Sequence, residues 1–228
     1  MSSPTFQHQL FTHFARIGKA VSNANRLKLL EFLAQGERSV EALAKVCRLS
    51  VANTSQHLQQ LRQAGLVVAR KQGQRVYYRL AGDEVVALIA MLRRLAERQL
   101  AEVERLVDAY LTVKDGLEPV PAEELLERAR SGLVTVLDVR PSEEFAAGHL
   151  PGAFNLPLAQ LETCLHQLPR DQEIVAYCRG PYCVLAFEAV AKLREKGFQA
   201  RRLQDGFPEW KSAGLPVETT LGDSSSEA

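Results

Sequence analysis

The residues with the most chemistry in this sequence are Tyr177-Cys178-Arg179-Gly180-Pro181-Tyr182-Cys183-Val184. Cys178 follows directly on the apolar, β-rich run Ile174–Tyr177, six residues from Cys178 to Cys183 form a loop, and an apolar helix pattern begins at Val184. In open α/β sheets, sites lie at the carboxyl ends of strands. A loop that curls onto a helix N-terminus points backbone N–H groups inward, toward an anion. A thiolate is such an anion, and the helix end together with Arg179 should depress the thiol pKa, which makes Cys178 a candidate nucleophile. The bland alternative is an inert buried cysteine. A zinc site from Cys164, His166, Cys178 and Cys183 is conceivable, but the spacing matches no paired zinc knuckle. No metal and no cofactor are expected.

A second stretch is built to read rather than to react. Val51-Ala52-Asn53-Thr54-Ser55-Gln56-His57-Leu58-Gln59-Gln60 opens with two turns of small or amide-bearing residues that lack charge. Small side chains let a helix sit deep in the major groove, and Asn and Gln can read base edges bidentately. Ser50, Asn53, Ser55 and Gln56 are therefore candidate DNA contacts. His57 stands equally as a base reader and as a structural or phosphate-contacting histidine. Arg62, Arg70, Lys71 and Arg75 suit phosphates, which position without specifying.

The elements that must position these residues follow from apolar periodicity. It predicts helices over Thr5–Val21, Asn25–Ala34, Val40–Cys47, Val51–Ala64 and Asp83–Tyr110. Ser39 and Ser50 sit where N-caps belong, and Gly36 and Gly65 where helices stop. Only Arg48, Leu49 and Ser50 separate the third and fourth helices, which is helix-turn-helix spacing. Leu66–Arg70 and Arg75–Leu80 flank Lys71-Gln72-Gly73-Gln74 as a basic hairpin, giving a winged helix. Lys114-Asp115-Gly116 with Pro119 and Pro121 marks a linker. Beyond it, short strands at Val134–Leu137, Phe154–Leu156, Ile174–Tyr177 and Ala200–Leu203 alternate with helices at Ala122–Ala129, Glu143–Ala147, Leu158–Leu165, Val184–Lys196 and Phe207–Ser212. That alternation predicts an α/β domain with a largely parallel sheet. The expected organisation is residues 1–112 as a mainly α winged helix-turn-helix domain, 113–121 as linker, 122–220 as the α/β domain and 221–228 as a disordered polar tail.

With 46 % apolar and 24 % charged residues, the 228-residue chain is ordinary for a globular protein, which excludes disordered and fibrous classes. The apolar run Val85–Leu92 is too short to span a membrane, and the first thirty residues lack the apolar core and cleavage site of a signal peptide, so a cytoplasmic location is expected. Four cysteines are too few for a disulfide scaffold. The formal charge of +1 hides a split, +7 over residues 1–112 against −6 over 113–228. Residues 42–82 hold seven basic side chains and no acidic one, which points to a polyanion partner, here DNA.

The first hundred residues resemble the ArsR-type winged-helix repressors, through Asn25-Arg26-Leu27, Leu49-Ser50, Ser55-Gln56-His57-Leu58 and Leu61-Arg62-Gln63-Ala64-Gly65-Leu66-Val67. The resemblance implies a homodimer built from the first and last helices that reads an inverted-repeat operator in double-stranded DNA. The apolar stripe Val86, Ile89, Leu92, Leu95, Leu100, Val103, Leu106 and Leu111 agrees, being too long for one small domain to cover. The paired cysteines of the family's metal-sensing members are absent, with Ser39 and Glu41 in their places. Cys47, later on the same helix, reads as a small buried hydrophobe. An arsenic-responsive regulator would need that non-classical thiol.

Residues 117–217 resemble the rhodanese domain, through Leu137-Asp138-Val139-Arg140, Gly148-His149-Leu150-Pro151-Gly152-Ala153, Ile174-Val175-Ala176-Tyr177-Cys178, Leu203-Gln204-Asp205-Gly206-Phe207-Pro208-Glu209-Trp210 and Ala213-Gly214-Leu215-Pro216-Val217. The resemblance implies that Cys178 accepts a sulfane sulfur as a persulfide and passes it to a thiol acceptor. Many active rhodaneses end the loop in Arg, where this chain has Cys183, and Pro181 removes a backbone donor. A thiol-bound persulfide donor therefore fits better than thiosulfate. The two thiols end a loop that must curl, so their Cα atoms could come within the ~7 Å limit for a bridge, and a reactive thiol beside a resolving thiol is a sensor's arrangement. The alternative for Cys183 is a small helix-start residue without chemistry. Asp138 is expected to hold the loop through hydrogen bonds, Arg140 to pair with Glu143 or Glu144, His149 to order the 148–152 turn, and Trp210 and Cys164 to pack. Two functions remain open at this point: a DNA-binding regulator, a repressor by resemblance, that senses reactive sulfur or oxidant through Cys178 and Cys183, and a sulfurtransferase tethered to a constitutive DNA-binding domain.

Overall fold

The computed structural model describes residues 4–112 and 118–220; most of the expected linker and the whole expected tail lie outside the described residues. The chain forms two compact units, one up to Ile89 and one from Ala90 onward. This division falls inside a helix, ahead of the linker expected at 113–121.

The first unit is a winged helix-turn-helix. Helix α1 (Pro4–Val21) leads to α2 (Ala24–Leu33), whose N-cap Asn23 accepts from the backbone N–H of Arg26. A two-residue strand β1 (Arg38–Ser39), too short to carry a periodic signal, precedes α3 (Val40–Cys47), and the Ser39 hydroxyl caps α3 by accepting from Ala42 N–H. Arg48 ends α3 in the left-handed conformation (φ 57°), turning the chain into α4 (Val51–Gln63), which Ser50 caps. Strands β2 (Val67–Gln72) and β3 (Arg75–Leu80) pair antiparallel, with Gln72 opposite Arg75. The two-residue tip needs a positive φ, which Gly73 supplies (φ 60°). Leu29, Leu30, Leu43, Leu58 and Leu61 are fully buried and form the core that fixes α3 against α4. Cys47 is buried with them, and that burial raises its thiol pKa, as a packed hydrophobe requires.

The single helix expected over Asp83–Tyr110 is corrected. Helix α5 (Glu84–Gln99) ends where Leu100 adopts extended backbone, α6 (Ala101–Val107) follows, and Asp108–Thr112 form a π-helical turn. Met91, Leu95, Leu100, Leu106 and Tyr110 are exposed. A helix draws most of its stability from packing an apolar face, and this stripe has little to pack against within one chain.

The second unit is an α/β fold. After α7 (Ala122–Arg130) come β4 (Val134–Asp138), α8 (Ser142–Ala147), β5 (Phe154–Asn155), α9 (Leu161–Cys164), β6 (Glu173–Tyr177), α10 (Val184–Glu195), β7 (Ala200–Arg202) and α11 (Phe207–Ser212). The four strands are all parallel in the order β5-β4-β6-β7. Both faces of the sheet are covered, one by a core with Leu137, Ile174, Ala176, Ala189 and Leu193, the other by Val136, Val175, Tyr177, Phe207 and Trp210. That explains why β4 and β6 read as unbroken apolar runs rather than alternating ones. The helix expected over Leu158–Leu165 is three short turns, 3-10, α and 3-10, over Leu158–Gln167. Among the described residues no helix is long and apolar enough to cross a membrane.

Candidate functional sites: a dithiol loop and a basic winged helix

The strand order reverses direction between β4 and β6, and the carboxyl ends of those two strands are where an α/β sheet opens a crevice. Asp138 and Tyr177 are register partners at that edge, so Cys178, the next residue, emerges beside Asp138. Cys178 is 1 % exposed, and its carbonyl accepts from Phe207 N–H at 3.1 Å. The loop then closes as a turn, with Cys183 N–H donating to the Gly180 carbonyl at 3.0 Å. Pro181 occupies the second position of that turn, where its fixed φ belongs. The turn returns the chain so that Cys183 is the N-cap of α10. The Cα atoms of Cys178 and Cys183 are 6.1 Å apart and their sulfurs are bonded to each other. Gly206 seals the loop from the other side, because a Cβ there would overlap the backbone of Gly180 and Arg179.

The arginines around this loop have specific carboxylate partners. Arg179 makes a bidentate pair with Glu144 at 2.8–3.1 Å, and the Glu144 side chain is 2 % exposed. The cation expected to depress the Cys178 thiol is thus shared with a buried carboxylate. Arg140 pairs with Asp138 (2.6–3.0 Å, both side chains 0 % exposed) and donates to the Gly148 carbonyl at 2.7 Å. The tight turn from β4 brings Arg140 back over the end of its own strand, where the Glu144 charge also acts on it. Burial opposes the Arg140 charge, but Asp138 outweighs it and holds the guanidinium above its ordinary pKa. The Tyr177 hydroxyl, beneath them, is pushed well up by burial and by Asp138, and accepts from Leu150 N–H. His149 stacks on Phe145, its Nδ1 lies 2.8 Å from the Phe145 carbonyl, and Trp210 is core. Cys164 packs against the same core as Cys178. Among the described residues there is no group of three His, Cys, Asp or Glu able to hold a metal ion.

In the first unit, α4 buries Thr54, Leu58 and Leu61 and exposes Asn53, Gln56 and Gln59. Ser55 is half-buried, and Ser50 spends its hydroxyl on the cap, accepting from Asn53 N–H at 3.2 Å. His57 is half-buried, and burial and the nearby Arg26 lower its pKa. Arg62, Lys71 and Arg75 are exposed on α4 and the hairpin. Arg70, also exposed, makes a bidentate pair with Glu37. Gln59, one turn beyond Ser55 and Gln56, is exposed on the same helix.

A winged helix with a basic hairpin and a parallel α/β unit carrying a cysteine loop at the end of a central strand define a helix-turn-helix regulator of transcription joined to a second, α/β domain. The rhodanese-like domain model matches residues 121–213, and the model of the bacterial regulatory proteins of the arsR family matches residues 23–68. A helix-turn-helix transcriptional regulator of Mycobacterium tuberculosis is 46 % identical over 209 residues, 92 % of each chain. The protein belongs to this family of arsR-type transcriptional regulators with a C-terminal rhodanese-like domain. A sulfurtransferase of Allochromatium vinosum is 30 % identical over 105 residues, 45 % of this chain and 96 % of its own. The solution structure of a homodimeric winged helix-turn-helix DNA-binding domain from Mycobacterium bovis is 41 % identical, covering 44 % of this chain and 93 % of that one with a TM-score of 0.41.

Proposed function

We propose that the protein is a homodimeric DNA-binding repressor that senses reactive sulfur or oxidant through Cys178 and Cys183. The observation that carries this reading is the pair of thiols at the two ends of one closed turn, 6.1 Å apart at Cα, at the carboxyl end of a central strand. The Cys178 thiolate attacks the outer sulfur of a persulfide donor RSSH. The donor S–S bond breaks, RS⁻ leaves and takes up the proton as RSH, and Cys178 carries the transferred sulfur as a persulfide. The Cys183 thiolate then attacks Cys178 Sγ, the bond to the outer sulfur breaks, and hydrosulfide leaves with the electron pair. Two thiols are oxidised to a disulfide and one sulfane sulfur is reduced to sulfide. Asp138 and Arg140 hold the end of β4 against this loop. With Arg179 shared with Glu144, an oxyanion donor such as thiosulfate finds little net positive charge there.

On the DNA side, Asn53, Ser55 and Gln56 face base edges and Arg62, Lys71 and Arg75 face phosphates, while Ser50 and His57 shape α4. The exposed Phe6, Phe11 and Phe14 of α1 and Met91 and Leu95 of α5 are the faces a second copy covers. Two-fold symmetry would set the reading helices about one DNA turn, ~34 Å, apart on an inverted repeat in the cytoplasm. The alternative, a sulfurtransferase joined to a constitutive DNA-binding domain, is favoured by the full-length match to the Allochromatium sulfurtransferase. Mass spectrometry of the Cys178–Cys183 peptide after polysulfide exposure tests the sensing chemistry. A disulfide or a bridged polysulfide is expected. A stable persulfide on Cys178 with Cys183 untouched, turning over with a thiol acceptor, would favour the enzyme.

A further inference from the structure

Within the second unit, the C-terminal half of α5 touches Tyr182 of the dithiol loop and Glu209 of α11. The Tyr182 hydroxyl, adjacent in sequence to Cys183, donates to a Glu97 carboxylate oxygen. Arg93, one turn earlier on the same helix face, pairs with Glu209 at 2.9 Å, their side chains 20 % and 16 % exposed. The Arg93 guanidinium also lies over the Tyr182 ring, 5.9 Å from its centre. Glu209 in turn accepts from Gly206 N–H at 3.2 Å, and Gly206 is the residue whose Cα abuts the loop backbone at Gly180. The chain of contacts therefore closes on itself: α5 to Glu209 to Gly206 to the loop, and back from Tyr182 to α5. Residues four apart on a helix share a face, so both grips load the same side of α5.

We propose that Arg93 and Glu97 are positioning residues of the dithiol loop, and that α5 is the element through which the state of Cys178 and Cys183 reaches the rest of the regulator. The inference rests on the sensing reading above and names its route. A disulfide holds two sulfurs at about 2 Å; opened thiols separate to non-bonded contact, and an inserted sulfur spreads them further. Tyr182 stands in the turn that must absorb that change, and its hydroxyl is bound to Glu97. The α5 apolar stripe, with Met91 and Leu95, lies on the same helix that carries the grip. Coupling of this kind is reciprocal: whatever the bridge does to α5, α5 does to the bridge. The expected linker at 113–121 need not carry the signal.

The test uses the full-length protein. Hydrogen exchange over Ala90–Gln99 is compared between the reduced protein and protein oxidised with inorganic polysulfide, in wild type, Tyr182→Phe, Glu97→Gln and Cys178→Ser. Wild type is expected to change protection across this segment on oxidation, Tyr182→Phe and Glu97→Gln to change less, and Cys178→Ser not at all. In parallel, the thiol–disulfide equilibrium of the pair is measured in glutathione buffers. Losing the Tyr182–Glu97 bond should shift it by about fivefold, ~20 mV for a two-electron couple. Identical α5 exchange in reduced and oxidised wild type, or an unshifted equilibrium in both variants, overturns the proposal. Affinity for a duplex selected from a random pool by the reduced protein is read separately. If α5 exchange responds and that affinity does not, the sensing function fails while the grip stands.

Discussion

The two units use the same residue type in opposite ways. In the winged helix, Arg62, Lys71 and Arg75 extend into solvent, whereas the second unit gives three arginines near its loop specific carboxylates: Arg140 to Asp138, Arg179 to Glu144, Arg93 to Glu209. The near-neutral chain is therefore one basic surface followed by a unit whose loop-side arginines are paired with carboxylates. A polyanion gains from the first, because exposed cations release counterions on contact. In the second, Arg179 of the loop is paired with the buried Glu144. Charge that is counted equally in composition has opposite energetic roles, and only the partners distinguish them.

That contrast can be broken from either side. The largest expected effect is Asp138→Ala, which removes the bidentate carboxylate partner of the buried Arg140 and should cost about 3–5 kcal/mol in denaturant unfolding of the second unit. A loss under ~1 kcal/mol would mean that Arg140 finds another partner. Gly206→Ala comes next: the added methyl meets the loop backbone, so a loss of about 1–3 kcal/mol is expected, with slower alkylation of Cys178 as the accompanying readout. Lys71→Ala should leave stability within ~0.5 kcal/mol and reduce the slope of log affinity against log salt by about 1. An unchanged slope would remove the hairpin from the DNA interface. The smallest effect is on pH dependence. Burial works against the Glu173 charge, but hydrogen bonds from Arg201 and Arg128 outweigh it and lower its pKa. Its contribution is therefore complete above the unfolded carboxylate value, about 4.3, and is lost as pH falls through the lowered folded value. Glu173→Gln should flatten the melting temperature across that acid range and leave the neutral range sloped as before.

Legibility from sequence followed the reach of each interaction. The turn Arg48-Leu49-Ser50, the caps at Ser39 and Ser50 and the hairpin at Gly73 depend on neighbours within four residues, and all are where the local pattern puts them. The dithiol loop was equally legible, since a cysteine after an apolar strand and another at a helix start need only local geometry. The partners of Arg140 and Arg179 were not. The turn out of β4 folds Arg140 back onto Asp138, and Glu144 bonds an arginine 35 residues away. The break at Leu100 was hidden for another reason: apolar spacing records what a helix face wants to bury, and says nothing of whether one chain supplies the cover. Glu97 and Arg93 carry no local signal of their roles, because their partners, Tyr182 and Glu209, are more than eighty residues away.

The central claim is that the sulfur unit speaks to the DNA unit. Its most direct test is the affinity of the full-length protein for a selected duplex, before and after polysulfide treatment, in wild type and Cys178→Ser. A hundredfold release corresponds to a coupling of about 2.7 kcal/mol. The account predicts a large loss of affinity in treated wild type and none in treated Cys178→Ser. Equal affinity in all four samples would contradict it.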